Sequence, residues 1–225
     1  MPLQTAVVIG ATGLIGGYVV QELLKDETFE RVVLLVRKEY PIKHPKLTAR
    51  IVDFNNPADY KDKLGAGNAI FSCVGTTQNK VDGDKEAYRK IDFDIPVTAA
   101  KLGKEAGFST FLLVSAVGAN AKSANFYLHL KGEVDEAVSS FGLDSVHILR
   151  PSVLLGKRNE YRFGEKIAQV VMSGISFLLR RSLRKYNPIE ASIVAKAMLA
   201  AAKSEMPGDH IYEYDRIMAL AEEKT

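Results

Sequence analysis

The chain has a single cysteine among its 225 residues, Cys73. An internal disulfide bond is therefore excluded, which is typical of a protein kept in a reducing compartment. There is no apolar run of about 18 residues that would predict a membrane-spanning helix. No charged stretch precedes the first apolar segment, so a secretory signal peptide is not expected. These absences predict a soluble, cytoplasmic protein.

Neither sign of charge predominates, since 30 basic and 27 acidic residues give a net charge of +3. This balance gives no reason to expect a nucleic-acid partner. The densest basic cluster, Arg180–Lys185, follows an amphipathic segment. We interpret it as a solvated helix end, with contact to a membrane surface as the alternative. His44, His147 and His210 have no carboxylate or cysteine at ligand spacing, so no metal site is predicted.

Short apolar runs alternate with segments of helical spacing over the first 150 residues. The runs are apolar on both faces, as in parallel strands that are covered by helices. This alternation predicts a doubly wound parallel α/β sheet, the Rossmann fold. The strand candidates are 6–10, 31–37, 50–54, 69–75, 111–116 and 145–150, and the clearest helices are 13–25, 84–106 and 123–141.

The alternation stops after residue 150, where helices are predicted at about 163–179 and 189–202. No internal repeat, low-complexity tract or linker marks a domain boundary. We therefore expect residues 1–225 to form one dinucleotide-binding domain, with residues 155–225 as a small helical extension on the substrate side.

A glycine-rich stretch, VVIGATGLIGG, stands where the first strand gives way to the first helix. Gly10 allows a tight turn, Gly13 lets the backbone approach a pyrophosphate, and Gly16 lets the helix pack closely on the sheet. The N–H groups at the start of the helix would face the anion. This loop predicts a dinucleotide site, which also includes the residues between the glycines, Thr12, Leu14 and Ile15.

The end of the second strand indicates which dinucleotide is bound. An acidic side chain there binds the ribose of NAD, whereas arginine accommodates the 2′-phosphate of NADP. The sequence places Arg37 and Lys38 first and Glu39 only after them. This order favours NADP and leaves NAD as the alternative.

Tyr127 and Lys131 are four residues apart in a predicted helix, so they project from the same face. A phenol is a poor acid or base at neutral pH unless a nearby cation stabilises its ionised form, and Lys131 can supply that cation. Ser115 ends a predicted strand, where it could bind a substrate carbonyl. These three residues are the candidate catalytic set.

These motifs, GATGLIGG, Ser115 in LLVSAVGA, CVGTT, KSANFYLHLKGEVDEAV and LRPSVLLGKR, resemble those of an atypical short-chain dehydrogenase/reductase. The resemblance is closest to the Tat-interactive oxidoreductase-like family and covers essentially the whole chain. It implies that Lys131 also binds the nicotinamide ribose. Further cofactor contacts are implied at Asp53 and Phe54 beside the adenine, at Val74, Gly75 and Thr76 beneath the adenine ribose, and at Pro151, Ser152 and Val153 beside the nicotinamide.

The resemblance has one departure, at Asp92. Many members of the family have an asparagine at this place, where it holds water in a proton relay. An ionised aspartate would change that relay. Two functions therefore stay open: NADP-dependent reduction of a small carbonyl compound, and a dinucleotide-binding regulator that presents its shape to a protein partner. A monomer and a homodimer are both compatible with the sequence.

Overall fold

The computed structural model describes residues 4–156, 183–204 and 206–223. The strands are β1 (Gln4–Ile9), β2 (Phe29–Val36), β3 (Leu47–Ile51), β4 (Ala69–Ser72), β5 (Thr110–Val114), β6 (Ser145–Leu149), β7 (Leu154–Leu155), β8 (Ile189–Glu190) and β9 (Gly208–Tyr212). The α-helices are α1 (Leu14–Lys25), α2 (Pro57–Leu64), α3 (Lys85–Arg89), α4 (Ile95–Glu105), α5 (Phe126–Ser140), α6 (Ala191–Lys203) and α7 (Tyr214–Glu222). A π-helical turn, Lys90–Asp94, joins α3 to α4.

Seven of these strands form one parallel sheet in the order β3-β2-β1-β4-β5-β6-β9. The chain leaves β1 in one direction for β2 and β3, and returns to the other side of β1 for β4. This reversal creates a crevice at the carboxyl ends of β1 and β4, where ligands bind in sheets of this kind. The predicted Rossmann fold is confirmed.

Helices cover both faces of the sheet because successive strand side chains point to opposite sides. In β1, Ala6 and Val8 lie in the core beneath α1 and α6, whereas Val7 and Ile9 lie in the core beneath α2 and α4. All four side chains are essentially inaccessible to solvent. The two cores explain why the sequence shows continuous apolar runs rather than an alternating pattern.

Two strands of the seven-stranded sheet differ from the sequence expectations. The predicted strand 50–54 is instead β3, Leu47–Ile51, because β3 is the exposed edge of the sheet and has no apolar run to mark its register. Strand β9 was not predicted, since its residues are mostly polar or exposed, yet it extends the sheet beside β6. The extension therefore contributes a strand as well as helices. The helix predicted at 163–179 lies outside the described residues.

A buried polar network joins β6 to β9. His147 is 1% exposed, and its Nδ1 lies 2.8 Å from Oη of Tyr212 while its Nε2 lies 2.8 Å from Oγ of Ser145. Ser145 donates its hydroxyl hydrogen to the carbonyl of Met206 at 2.6 Å. Nε2 must therefore carry the imidazole hydrogen and Nδ1 must accept from Tyr212. The network satisfies each group only while His147 is neutral.

We predict that acid weakens the fold through His147. Burial, assisted by the nearby His210, lowers the pKa of His147 from 6.5 to about 4. Between these values the unfolded chain binds the proton and the folded chain does not, so stability is full above about pH 6.5 and falls as the pH drops towards 4. The loss should approach about 3 kcal/mol. Urea unfolding between pH 7 and 4.5 measures it.

The matched control is His44→Gln, because His44 is exposed on the surface. This variant should lose stability with acid as the parent does, whereas His147→Gln should show a flatter dependence over the same range. If the stability of the parent and of both variants fell equally with decreasing pH, His147 would not be the cause of the loss.

Candidate functional site

The predicted site residues meet at the carboxyl edge of the sheet. Gly10 follows β1, Ser115 follows β5 and Arg150 follows β6. Ser115 is held there by its own N–H, which donates to the carbonyl of Leu149 at 2.8 Å. Because parallel strands all end on the same side, these side chains converge without being near one another in sequence.

The turn after β1 admits only glycine at two positions. Gly10 has a φ of +82°, and a Cβ there would lie 2.6 Å from the carbonyl oxygen of Cys73, the residue that directly follows β4. A Cβ on Gly16 would lie 2.2 Å from the carbonyl oxygen of Gly10. Both contacts are with backbone, which cannot move aside without shifting a strand. The glycines therefore let β1, β4 and α1 meet closely, as the sequence predicted.

The start of α1 suits an anion. Gly13 is the N-cap and has no side chain that could occupy the helix amides. The first-turn N–H groups of Leu14, Ile15 and Gly16 have no acceptor within the helix. The positive end of the helix dipole adds to their attraction for a phosphate. This arrangement fits the pyrophosphate of a dinucleotide, with Thr12 in the turn between the strand and the helix.

The ends of β2 and β3 border the same crevice. Arg37 and Lys38 directly follow β2, are exposed, and make no ion pair within the described part of the chain. Beyond β3, Asp53 is exposed, and Phe54 packs edge-on against Tyr60 with ring centroids 5.0 Å apart. These positions follow the two strands on one side of the β1–β4 crevice.

The backbone after β4 is held by the helix that follows it. The N–H of Thr76 donates to Oδ2 of Asp92 at 2.7 Å, and the hydroxyl of Tyr88 donates to the carbonyl of Thr76 at 3.1 Å. Gly75 lies beside the same carboxylate, with Val74 before it. The segment predicted to pass beneath the adenine ribose is therefore fixed by Asp92 and Tyr88.

Asp92 reaches this segment from the π-helical turn Lys90–Asp94. Pro96 has no N–H to donate to the carbonyl of Asp92 four residues earlier, so the regular α-helical bond is missing at this place. Single π turns inside α-helices are often found at functional sites. The predicted helix 84–106 therefore contains a π-helical turn, which the spacing of its apolar residues did not indicate.

Helix α5 carries Tyr127 and Lys131. Its start is capped by Asn125, whose Oδ1 accepts from the N–H of Leu128 at 3.1 Å. Gly132 allows the helix to lie against the loop that follows Ser115, because a Cβ there would be 2.1 Å from the N of Ala121. This close approach positions the predicted catalytic face of α5 at the ends of the strands.

Lys131 makes a buried ion pair with Asp92. Its Nζ lies 3.1 Å from Oδ1 of Asp92, and the two side chains are 6% and 1% exposed. Burial alone would lower the pKa of Lys131, but Asp92, Tyr127 and Asp135 together outweigh burial, and the pKa lies above its ordinary value. Lys131 is therefore a cation in the folded protein.

A second carboxylate, Asp135, follows Lys131 by one helical turn and is also buried. Nε and Nη2 of Arg150 lie 2.9 and 2.8 Å from its Oδ2. Burial raises the pKa of Asp135 even though Ser115 and Arg150 both oppose the rise. Oγ of Ser115 is buried and lowers the pKa of this carboxylate, but it forms no hydrogen bond of good geometry within the described residues. The serine hydroxyl can therefore turn towards Asp135 or towards a ligand.

The phenol of Tyr127 is subject to opposing influences. Burial raises its pKa, Lys131 lowers it, and Asp92 and Asp135 raise it. The net direction is upward from the ordinary value of 10. Lys131 therefore favours the phenolate, but burial and the two carboxylates outweigh it.

The last predicted segment, Pro151–Val153, follows β6. The carbonyl of Pro151 accepts from the N–H of Val117, and the Ser152 hydroxyl donates to the carbonyl of Asn187. These bonds connect the segment to the loop that follows Ser115 and to the chain entering β8. It lies at the same sheet edge as Ser115.

Sequence reasoning missed Asp135 and Arg150 and treated Asp92 only as a departure from a family pattern. Asp135 continues the four-residue spacing of Tyr127 and Lys131, which was the one available signal. The contact between Asp92 and Lys131 spans 39 residues and depends on the π turn, so spacing could not show it.

No group of three or more metal-ligating side chains occurs within residues 4–156, 183–204 and 206–223. In the same ranges, no helix combines the length and hydropathy needed to cross a bilayer.

Comparison with known proteins identifies the family to which the chain belongs. Residues 10–177 match the family described as NAD(P)H-binding. "Protein FMP52, mitochondrial" of Candida albicans is 30% identical over 207 residues, covering 90% of this chain and 89% of the relative. "Protein HTATIP2" of Rattus norvegicus is 31% identical over 172 residues, covering 75% of this chain and 70% of the relative. These matches confirm the predicted family resemblance.

Among solved structures, MoeE5 in complex with UDP-glucose and NAD is similar with a TM-score of 0.68. The sequences are 16% identical, and the match covers 96% of this chain and 80% of the other. At this identity the likeness shows a shared fold.

The names of the relatives correct one expectation. The FMP52 proteins that match this chain, including the Candida albicans protein, are named mitochondrial. The prediction of a cytoplasmic protein is contradicted by these names. That prediction depended on the absence of disulfides and of apolar runs, and neither feature distinguishes one reducing compartment from another.

Proposed function

Because this chain belongs to the NAD(P)H-binding family, we propose that it is an oxidoreductase that uses NADPH to reduce a small carbonyl compound. The observation that carries the proposal is that the glycine turn after β1 and the candidate catalytic residues Ser115, Tyr127 and Lys131 lie at the same edge of the sheet. The glycine turn fits the pyrophosphate, and the buried hydroxyl of Ser115 has no hydrogen-bond partner of normal length in the described part of the chain.

Each residue has a distinct proposed task. Ser115 would donate a hydrogen bond to the substrate carbonyl, which polarises it and orients it towards the cofactor. Tyr127 would give its hydroxyl proton to the carbonyl oxygen as the general acid. Lys131 would bind the nicotinamide ribose and stabilise the negative charge that then develops on the phenol. The bound nicotinamide supplies the hydride.

The cofactor would lie across the β1–β4 crevice. The amides of Leu14, Ile15 and Gly16 would hold the pyrophosphate, and the segments Val74–Thr76 and Pro151–Val153 would border its two riboses and the nicotinamide. Asp53 and Phe54 would border the adenine. Each of these segments lies at the carboxyl edge of the sheet.

We predict tighter binding of NADPH than of NADH, because Arg37 and Lys38 are exposed beside the place of the 2′-phosphate and form no ion pair with any residue that the structure describes. Arg37→Glu should weaken NADPH binding by roughly 10- to 100-fold, the equivalent of one lost charge-assisted hydrogen bond. NADH binding should change far less. Calorimetric titration with each dinucleotide measures both affinities.

The matched control is Arg31→Glu, which makes the same charge change near the amino end of β2, where Arg31 is also exposed. It should leave the ratio of the two affinities unchanged. Equal affinities of the parent for both dinucleotides would remove Arg37 from the argument.

The reductase proposal is tested by incubating the parent with NADPH and a panel of aldehydes, ketones and quinones while the absorbance of the reduced cofactor is followed. Turnover of any member supports it. A protein that binds NADPH tightly and reduces none of them would favour the regulator, in which dinucleotide occupancy controls binding to a protein partner. The buried pairing of Lys131 with Asp92 is the observation that keeps this second function under consideration.

A further inference from the structure

Asp92 is held at both of its carboxylate oxygens. Oδ2 accepts the N–H of Thr76 at 2.7 Å, and Oδ1 lies 3.1 Å from Nζ of Lys131. Its side chain is 1% exposed. Because the π turn and Thr76 hold this group in place, it acts on its neighbours as a fixed negative charge in a poorly polarisable environment.

Within the described residues, three charged groups act on Tyr127. Lys131 and Asp135 lie on its own helix, and Asp92 lies on the facing π turn. Lys131 favours the phenolate and the two carboxylates disfavour it. Arg150, at the end of β6, pairs with Asp135 and so offsets part of that charge. Among residues 4–156, 183–204 and 206–223, Asp92 has Lys131 as its charged partner and no second cation.

We infer that Asp92 is a positioning residue that, by pairing with Lys131, offsets the effect of this cation on Tyr127 and keeps the phenol in its hydroxyl form, so that alcohol oxidation, which needs the phenolate, requires alkaline pH. This inference rests on the proposed function and deepens it, because it assigns the resting protonation state of the proposed acid. Burial first, and then Asp92 and Asp135, raise the pKa of Tyr127.

The proton balance shows why the hydroxyl form matters. In reduction, the carbonyl oxygen would take the proton of Tyr127, and a bound reduced nicotinamide would supply the hydride to the carbonyl carbon. The products are an alcohol, the oxidised dinucleotide and a phenolate that water then reprotonates. In oxidation, the phenolate must first remove the proton of the alcohol. Asp92 disfavours that starting form.

The decisive test observes Tyr127 directly, without cofactor or turnover. Tyrosines labelled with ¹³C at Cζ are titrated by NMR between pH 7 and 12, and the Tyr127 signal is identified by its absence in Tyr127→Phe. In Asp92→Asn, which keeps the shape of the side chain, Tyr127 should ionise about one pH unit or more below its midpoint in the parent.

Asp26→Asn is the matched control, because Asp26 forms another partly buried ion pair with a lysine, 2.8 Å from Nζ of Lys203, outside the site. It should leave the Tyr127 midpoint unchanged. A second measurement needs only the parent: its alcohol oxidation should rise steeply with pH from neutral to alkaline conditions, while its carbonyl reduction should not rise with it.

An unchanged or higher Tyr127 midpoint in Asp92→Asn would overturn the inference, as would parent oxidation that is already at its maximum at pH 7. A lowered midpoint in a protein that reduces no carbonyl compound would support the electrostatic role of Asp92 and count against the reductase proposal alone. A failure of the role given to Asp92 can therefore be distinguished from a failure of the reductase proposal.

Discussion

Replacing Tyr127 by phenylalanine is expected to lower the rate of carbonyl reduction by about 10²- to 10⁴-fold, the usual effect of losing a positioned general acid. The ring would still pack at the start of α5, and only the hydroxyl would be lost. Stability should change by about 1 kcal/mol or less. Steady-state rates with NADPH and a substrate identified from the carbonyl panel measure the loss.

Tyr60→Phe is the control for this experiment. Tyr60 is buried, its ring packs against Phe54, and its hydroxyl donates to the carbonyl of Ile95 at 3.1 Å rather than to Ser115, Tyr127 or Lys131. Removing that hydroxyl should cost some stability but leave the rate unchanged. Tyr127→Phe should also bind NADPH with nearly the parent affinity. An active Tyr127→Phe variant is the result that would remove Tyr127 from the proposed mechanism.

The second large effect is expected from Lys131→Met, which keeps the apolar stem and removes the ammonium group. Asp92 would then be buried at 1% exposure without its cation. Breaking a buried ion pair on one side typically costs about 3–5 kcal/mol, because the remaining charge is left uncompensated. For a chain of this size, the melting temperature should fall by roughly 10 °C. Thermal and urea unfolding measure the loss.

A double-mutant cycle tests the cause of that loss. Adding Asp92→Asn to Lys131→Met removes the orphaned charge while the amide can still accept from Thr76, so part of the stability should return. If Asp92→Asn lowers the stability of Lys131→Met by as much as it lowers that of the parent, the two residues are not coupled.

Ser115→Ala is the control, because it removes a hydroxyl that forms no hydrogen bond of good geometry within the described residues. It should cost little stability.

The same variants distinguish a residue that binds the cofactor from one that orients the substrate. Lys131→Met should weaken NADPH binding, because Lys131 is proposed to contact the nicotinamide ribose. Ser115→Ala should leave that affinity nearly unchanged, because Ser115 is proposed to contact the substrate. Equal effects of both variants in a calorimetric titration would contradict this division.

Much of the central sheet was predictable because its signals are local. Runs such as Ala6–Ile9 and Phe111–Leu113 are apolar on both faces, and glycines interrupt the pattern where β1 turns into α1. The two edges were less predictable. An edge strand has one unpaired side and less burial, so β3 and β9 carry too few apolar residues to fix their register or even their presence.

The candidate site divides in the same way. The glycine turn and the Tyr127–Lys131 spacing are contained in short stretches of sequence, so the amino-acid order by itself determined the glycine turn after β1 and the helix face that carries Tyr127 and Lys131. Only the tertiary structure placed Asp92 against Lys131 and Asp135 against Arg150. Those contacts depend on a π turn, on helix packing at Gly132 and on strand ends that meet at one edge. The charge balance around Tyr127 is therefore a property of the folded protein, because electrostatic interactions depend on distance and burial rather than on sequence spacing.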